Sequence, residues 1–252
     1  MFIRYSLVAI VMVFALLSSA CAGPAQSAPN KQVEATFISH LAGGMPEQDV
    51  FVVKPSEPEG VYRIDASEVA DYTAAPVYAA AGTVDHDLFA LRENPFGPYP
   101  KGNELGFTME EWLAGTGHGT YTVEGDQAVM DFTFENLVPN GVYTMWCSTV
   151  YMPPEDKVID EPCGAADGSQ NTFVADAEGK AEFHLTLKAL PGSTDKIVRS
   201  IAVAYHSDGK TYGSSPGDFG LNSHVQLFFA VPAPESEAWQ VVTADTGVAH
   251  VH

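Results

Sequence analysis

The residues best suited to chemistry stand at the two ends of one long glycine-rich loop. His206 and His224 bracket Ser207-Asp208-Gly209-Lys210-Thr211-Tyr212-Gly213 and the Ser214–Ser223 stretch that follows. Ile201, Val203 and Tyr205 alternate before this loop, and Val225, Leu227 and Phe229 alternate after it. If both sets face the core of an antiparallel pair, both imidazoles point away from it and close the same end of the hairpin. Opposed residues have Cβ atoms about 5 Å apart, within reach of one metal ion. His118, in Gly117-His118-Gly119, is the candidate third ligand, with Asp208 and Asp218 as carboxylate alternatives. Zinc or copper suits imidazole, and three protein ligands with one open position can support chemistry. The competing reading is that both rings hydrogen-bond the backbone of the loop.

Other groups offer weaker patterns. Phe96, Tyr99 and Trp112, with Phe89 and Phe107 nearby, form either a platform for sugar rings or a cover over one end of the core. Asp85-His86-Asp87 and Asp167-Gly168-Ser169-Gln170-Asn171 offer oxygen ligands to calcium, without the spacing of an EF-hand loop. His250-Val251-His252 chelates only if it is extended, and chain ends fray. His40, His86 and His184 read as surface or core residues without special roles. There is no Gly-x-Ser-x-Gly elbow, no His-Glu-x-x-His helix and no phosphate-cradling glycine loop. The sequence therefore carries no linear signature of catalysis, and catalytic groups that converge in space rather than in sequence stay open. Zinc, copper and calcium remain the candidate ions.

The elements that must position these residues are mostly strands. Residues 32–41 alternate through Val33, Ala35 and Phe37. In residues 127–137, Met130, Phe132 and Phe134 fall on one face, and Glu124-Gly125-Asp126 turns the chain into them. Residues 142–150 set Val142, Thr144 and Trp146 against Tyr143, Met145 and Cys147. Phe183, Leu185 and Leu187 alternate in residues 180–187, and residues 197–206 and 223–231 complete the set. One short helix is expected where Thr108 precedes Glu111 by three residues, the pattern of a capping box, with Phe107 placed to pack on Trp112. The proline- and glycine-rich segment 94–103 reads as a loop. Together these predict a mainly β protein, an antiparallel β-sandwich of immunoglobulin-like or jelly-roll type with one short helix. The expected organisation is a less regular region over 32–118, a sandwich core over 119–232 and a tail over 233–252.

Cysteines and charge bound the compartment and the partners. Setting Cys21 aside, Cys147 and Cys163 form an even pair, expected as a disulfide in an oxidising compartment. The formal net charge is −20, with 12 basic and 32 acidic side chains, a field that repels nucleic acid and anionic lipid headgroups. Arg4 followed by an apolar run from Leu7 to Leu17 and small residues to Ala20 predicts a secretory signal over 1–20. A run of about eleven residues is too short to span a bilayer. The segment Leu17-Ser18-Ser19-Ala20-Cys21 resembles the lipobox of bacterial lipoprotein precursors, with Ser18 where that family prefers leucine. The resemblance implies lipidation at Cys21, and a flexible tether is expected over 21–31. Cleavage after Ala22 by ordinary signal peptidase is the alternative. The expected location is extracytoplasmic, either anchored through lipid alone or secreted. The expected role is a non-catalytic binding or structural module with an envelope protein or glycan partner. A copper or zinc protein using His206 and His224, and a glycan-binding module, are the alternatives.

Overall fold

The computed structural model describes residues 29–45, 48–86 and 96–242. The leader over 1–20, Cys21, nearly all of the tether, Asp87, Phe89, His250 and His252 lie outside the described residues. The molecule is mainly β and antiparallel throughout, in three sheets. The first sheet joins β1 (Asn30–Phe37), β6 (Thr116–Glu124), β7 (Gln127–Glu135), β11 (Ala181–Lys188) and β14 (Gln240–Val242) in the order β11-β7-β6-β1-β14. The second joins β8 (Val142–Tyr151), β10 (Thr172–Val174), β12 (Ile197–His206) and β13 (Ser223–Val231) in the order β10-β8-β12-β13, with β9 (Lys157–Pro162) also pairing with β8. These two sheets form the sandwich. The third, β2-β3-β5-β4, comprises β2 (Val52–Lys54), β3 (Glu57–Tyr62), β4 (Pro76–Ala80) and β5 (Tyr99–Thr108), and lies in sequence between β1 and β6. The sandwich therefore draws on the N-terminal strand and on the tail, as well as on the central strands.

Period-two alternation builds the core as elementary strand geometry requires. Ala128, Met130, Phe132 and Phe134 of β7 meet Tyr143, Met145 and Cys147 of β8 in one buried cluster, with Phe183, Leu185 and Leu187 closing it. Phe37 sits at its centre, its ring 5.0 Å from Phe132 and 5.2 Å from Phe134. Burying a side chain of this size stabilises the fold by roughly 2–3 kcal/mol. Cys147 and Cys163 are bonded across a sequence separation of 16, which fixes the loop after β9 to β8 and accords with an oxidising compartment.

The expected helix forms as α2 (Met109–Leu113). The Thr108 side chain accepts from the Glu111 N–H, the Glu111 carboxylate accepts from the Thr108 N–H, and Phe107 stacks on Trp112 at 5.6 Å. A single helical turn, α1 (Val69–Tyr72), follows a 3-10 turn over Ala66–Glu68. The segment 94–103 departs from its reading as a loop, because β5 begins at Tyr99. Its prolines and glycines serve an irregular ladder. The register to β4 shifts twice, and a Cβ at Gly102 would meet the Ala80 carbonyl oxygen at 2.5 Å.

Candidate functional site

Two departures from regular strand geometry create the site. The first is the end of β1, where the chain leaves the first sheet and bridges to β13 through reciprocal Ile38–Phe228 backbone bonds of 2.9 and 2.8 Å. Two residues later His40 lands on the outer face of the second sheet, its ring stacked on Phe228 at 5.6 Å. The Met45 N–H donates to the His40 carbonyl at 2.9 Å and folds the loop back on itself.

The second is a β-bulge between β12 and β13. Val203 pairs with Leu227 and Ala204 with Val225, so Gln226 is the extra residue. The bulge reverses the facing of everything before it in β13. Val225 joins Trp146, Ala202 and Ala204 on the outer face instead of the core, and His224 turns to the side of Tyr205, 6.0 Å from its ring.

β13 is an edge strand, and its Val225 N–H needs an acceptor. The Asp49 carboxylate supplies it at 3.0 Å, while its other oxygen accepts from His86 Nδ1 at 2.9 Å. The Asp49 carbonyl takes a bond of 2.7 Å from His224 Nδ1. Arg63, wholly buried, ties the backbone on both sides of this pair. Its guanidinium donates to the carbonyl of Gln48 at 2.6 Å, the residue before Asp49. It also donates to the carbonyl of Asp85 at 2.5 Å, the residue before His86. One cation thus orients both members of a buried carboxylate–imidazole pair.

Charge follows from this geometry. Burial opposes ionisation of Asp49, but the His86 imidazolium beside it outweighs that and holds the carboxyl below its ordinary range. Burial acts against the His86 cation too, and Asp49 reverses it, so His86 is raised. His40 receives no such partner. Burial, then the neighbouring His86, lower it from 6.5 to about 3, so the ring is neutral at physiological pH. The two rings lie 5.5 Å apart, and His86 stacks on Phe219 at 4.0 Å. His40 Nδ1 is buried with no hydrogen-bond partner among the described residues.

These imidazoles form one end of a cavity of about 250 Å³ on the outer face of the second sheet. Trp146, Val150, Val198, Ala202, Val225 and Phe228 are among the residues that line its apolar part, as are Met45 and Met152. Ser148, Ser200 and Asp160 are its other polar groups, with Ser148 donating to Asp160 at 2.5 Å. The size falls at the small end of ligand sites, and an apolar lining with few converging polar groups is their usual character.

The residues singled out from sequence are placed differently. His206 and His224 do not share a rim, because the bulge puts them on opposite faces of their sheet, and both are buried. His224 is engaged at both nitrogens, through the Asp49 carbonyl and through Ser207 Oγ at 2.9 Å. His206 Nε2 meets Thr144 Oγ1 at 2.7 Å, and that hydroxyl also accepts from the Trp146 indole N–H at 2.7 Å. Burial lowers His206 to about 4. Its place is to hold Trp146, a wall of the cavity. His118 is exposed on β6 in the first sheet, away from both. Among the described residues no group of three or more His, Cys, Asp or Glu side chains is arranged to hold a metal.

The aromatic platform is likewise dispersed. Tyr99 opens β5 and packs on the small cluster of Phe51, Val61, Ala80 and Val84, whereas Trp112, beyond the end of β5, belongs to the main core cluster. Trp112 is buried in the core, the Tyr99 hydroxyl accepts from Arg63 at 2.9 Å, and the Phe96 carbonyl accepts from the Arg63 N–H. The Asp167 carboxylate caps its own turn by accepting from the Ser169 N–H. Asp49, His86 and His40 were not legible as a site, since Asp49 meets Val225 across 176 positions and His86 across 37. The one signal was an acidic residue abutting the apolar run Val50–Val53. Comparison with known protein families, with characterised proteins and with solved structures finds no match for this chain.

Proposed function

We propose that the mature protein is a non-catalytic binding module of the cell envelope, tethered through lipid on Cys21. Its ligand is small, lodges its apolar part against Trp146, Ala202 and Phe228, and presents one polar group to the imidazoles of His40 and His86. The observation that carries this reading is the buried, unpartnered His40 Nδ1 at the polar end of an otherwise apolar cavity. A buried polar atom without a partner costs about 1–3 kcal/mol, a penalty that a ligand relieves. The leader and the disulfide support export, and the net charge of −20 favours neutral or cationic ligands over anionic ones.

The neutral fluorophore N-phenyl-1-naphthylamine tests the cavity. It should bind with enhanced fluorescence at one probe per chain. Ala202→Phe, which places a ring in the cavity from the outer face of β12, should abolish that binding while far-UV circular dichroism stays unchanged. Equal binding by the two proteins would refute the site.

A further inference from the structure

We infer that the imidazole end of this cavity is a copper(I) site, with His40 and His86 as nitrogen ligands and Met45 as a thioether ligand. The inference rests on the cavity being a binding site and names what its polar end takes. Three features converge on it.

The first is the state of His86. Its Nδ1 lies 2.9 Å from the Asp49 carboxylate, an acceptor only, so Nδ1 keeps its proton and Nε2 is the atom that takes a ligand, copper(I) displacing the Nε2 proton of the imidazolium to solvent. A carboxylate behind an imidazole is the recurring support of metal-ligating histidine, because it fixes the tautomer and raises ligand basicity. Asp49 is itself fixed, by the Val225 N–H, and its backbone by Arg63 through Gln48.

The second is His40. The residue is 8% exposed, its Nδ1 has no partner among the described residues, and its ring centroid is 5.5 Å from that of His86. A buried donor or acceptor is almost always satisfied in a folded protein, so an orphan beside a second imidazole points to a missing ligand.

The third is the sulfur. The His40 carbonyl accepts from the Met45 N–H, which returns Met45 toward His40, and both line the same cavity with His86. Met152 lines it from the end of β8. Two imidazole nitrogens and a thioether in apolar surroundings suit a soft monovalent ion, because thioether sulfur selects copper(I) and brings no negative charge to balance a divalent ion. Zinc sites of the structural kind use four ligands, with thiolates common among them, a set this cavity does not offer. Asp160, the carboxylate lining the cavity, accepts from Ser148 through one oxygen.

Anaerobic titration of the full chain with copper(I) against bicinchoninate tests this. His40→Gln and His86→Gln should each lower bound copper by one equivalent. Met45→Leu, nearly isosteric, should weaken that equivalent at least tenfold. Asp49→Asn turns a carboxamide N–H₂ toward Nδ1 and moves the ring proton to Nε2, which should cost about 10–100-fold in affinity. Cys21, His250 and His252 are present in every variant, so any copper they hold cancels in the difference. Copper binding should survive Ala202→Phe, the variant that abolishes probe binding, so the two readings fail separately. Unchanged copper stoichiometry and affinity in His40→Gln and Met45→Leu would overturn the assignment. So would zinc retained more tightly than copper at the same residues.

Discussion

Acid should destabilise this protein through two buried rings, and the loss can be worked from their surroundings. His40 and His206 are held neutral in the fold, with values lowered to about 3 and about 4. In the unfolded chain both take up protons near pH 6.5. A group whose folded value is lowered contributes stability that is complete above its unfolded value and is lost as pH falls toward its folded value. Each pH unit in that window costs about 1.4 kcal/mol per ring. Between pH 7 and 4.5 each ring therefore loses about 2.5 kcal/mol, and the pair about 5 kcal/mol. That is a large part of the 5–15 kcal/mol typical of a domain.

The other titrating groups do not cancel this loss. His86, raised by Asp49, contributes stability that is fully present below pH 6.5, so it is constant across the lower window. Asp49, held low, gives way only below its ordinary range. His224 is lowered by burial and adds to the acid loss. Urea unfolding at pH 7, 6, 5 and 4.5 should show the decline in wild type. His206→Gln should remove about half of the slope, and the double variant with His40→Gln most of it. Parallel decline in all three proteins would refute the reasoning.

Three further outcomes follow from the packing. Reduction, or Cys147→Ser with Cys163→Ser, should cost about 3 kcal/mol for a loop of separation 16, read from the urea midpoint with and without reductant. Thr108→Ala should cost about 1 kcal/mol by removing the cap of α2, measurable as a shift in thermal midpoint. Arg63→Met should cost about 2 kcal/mol, because it strips a donor from the carbonyl of buried Gln48 and a second from the carbonyl of Asp85, and should also weaken probe binding.

Much of the sandwich was legible because alternation reports burial directly. β7, β8 and β11 each bury the face their residues announce, Gly125 and Asp126 make the predicted turn, and Thr108 with Glu111 caps the predicted helix. The paired cysteines bond as expected. What alternation cannot report is an interruption of itself. Gln226 leaves the ladder to donate to the Trp112 carbonyl and accept from the Tyr143 hydroxyl, and so reverses the facing of Val225 and His224. The four-stranded sheet was blurred for a related reason, since Pro100 and Gly102 signal a loop but sit within β5. His40, read as ordinary, acquires its importance from a crossing between sheets, a property of topology that no local pattern carries.

The space between His40, His86 and Trp146 should receive a ligand. A crystal structure of the full chain grown with copper(I) and N-phenyl-1-naphthylamine addresses it directly. The prediction is an anomalous copper peak bridging the two imidazoles, and probe density against Ala202 and Phe228. A cavity closed by those side chains, with both ligands elsewhere or absent, would contradict it.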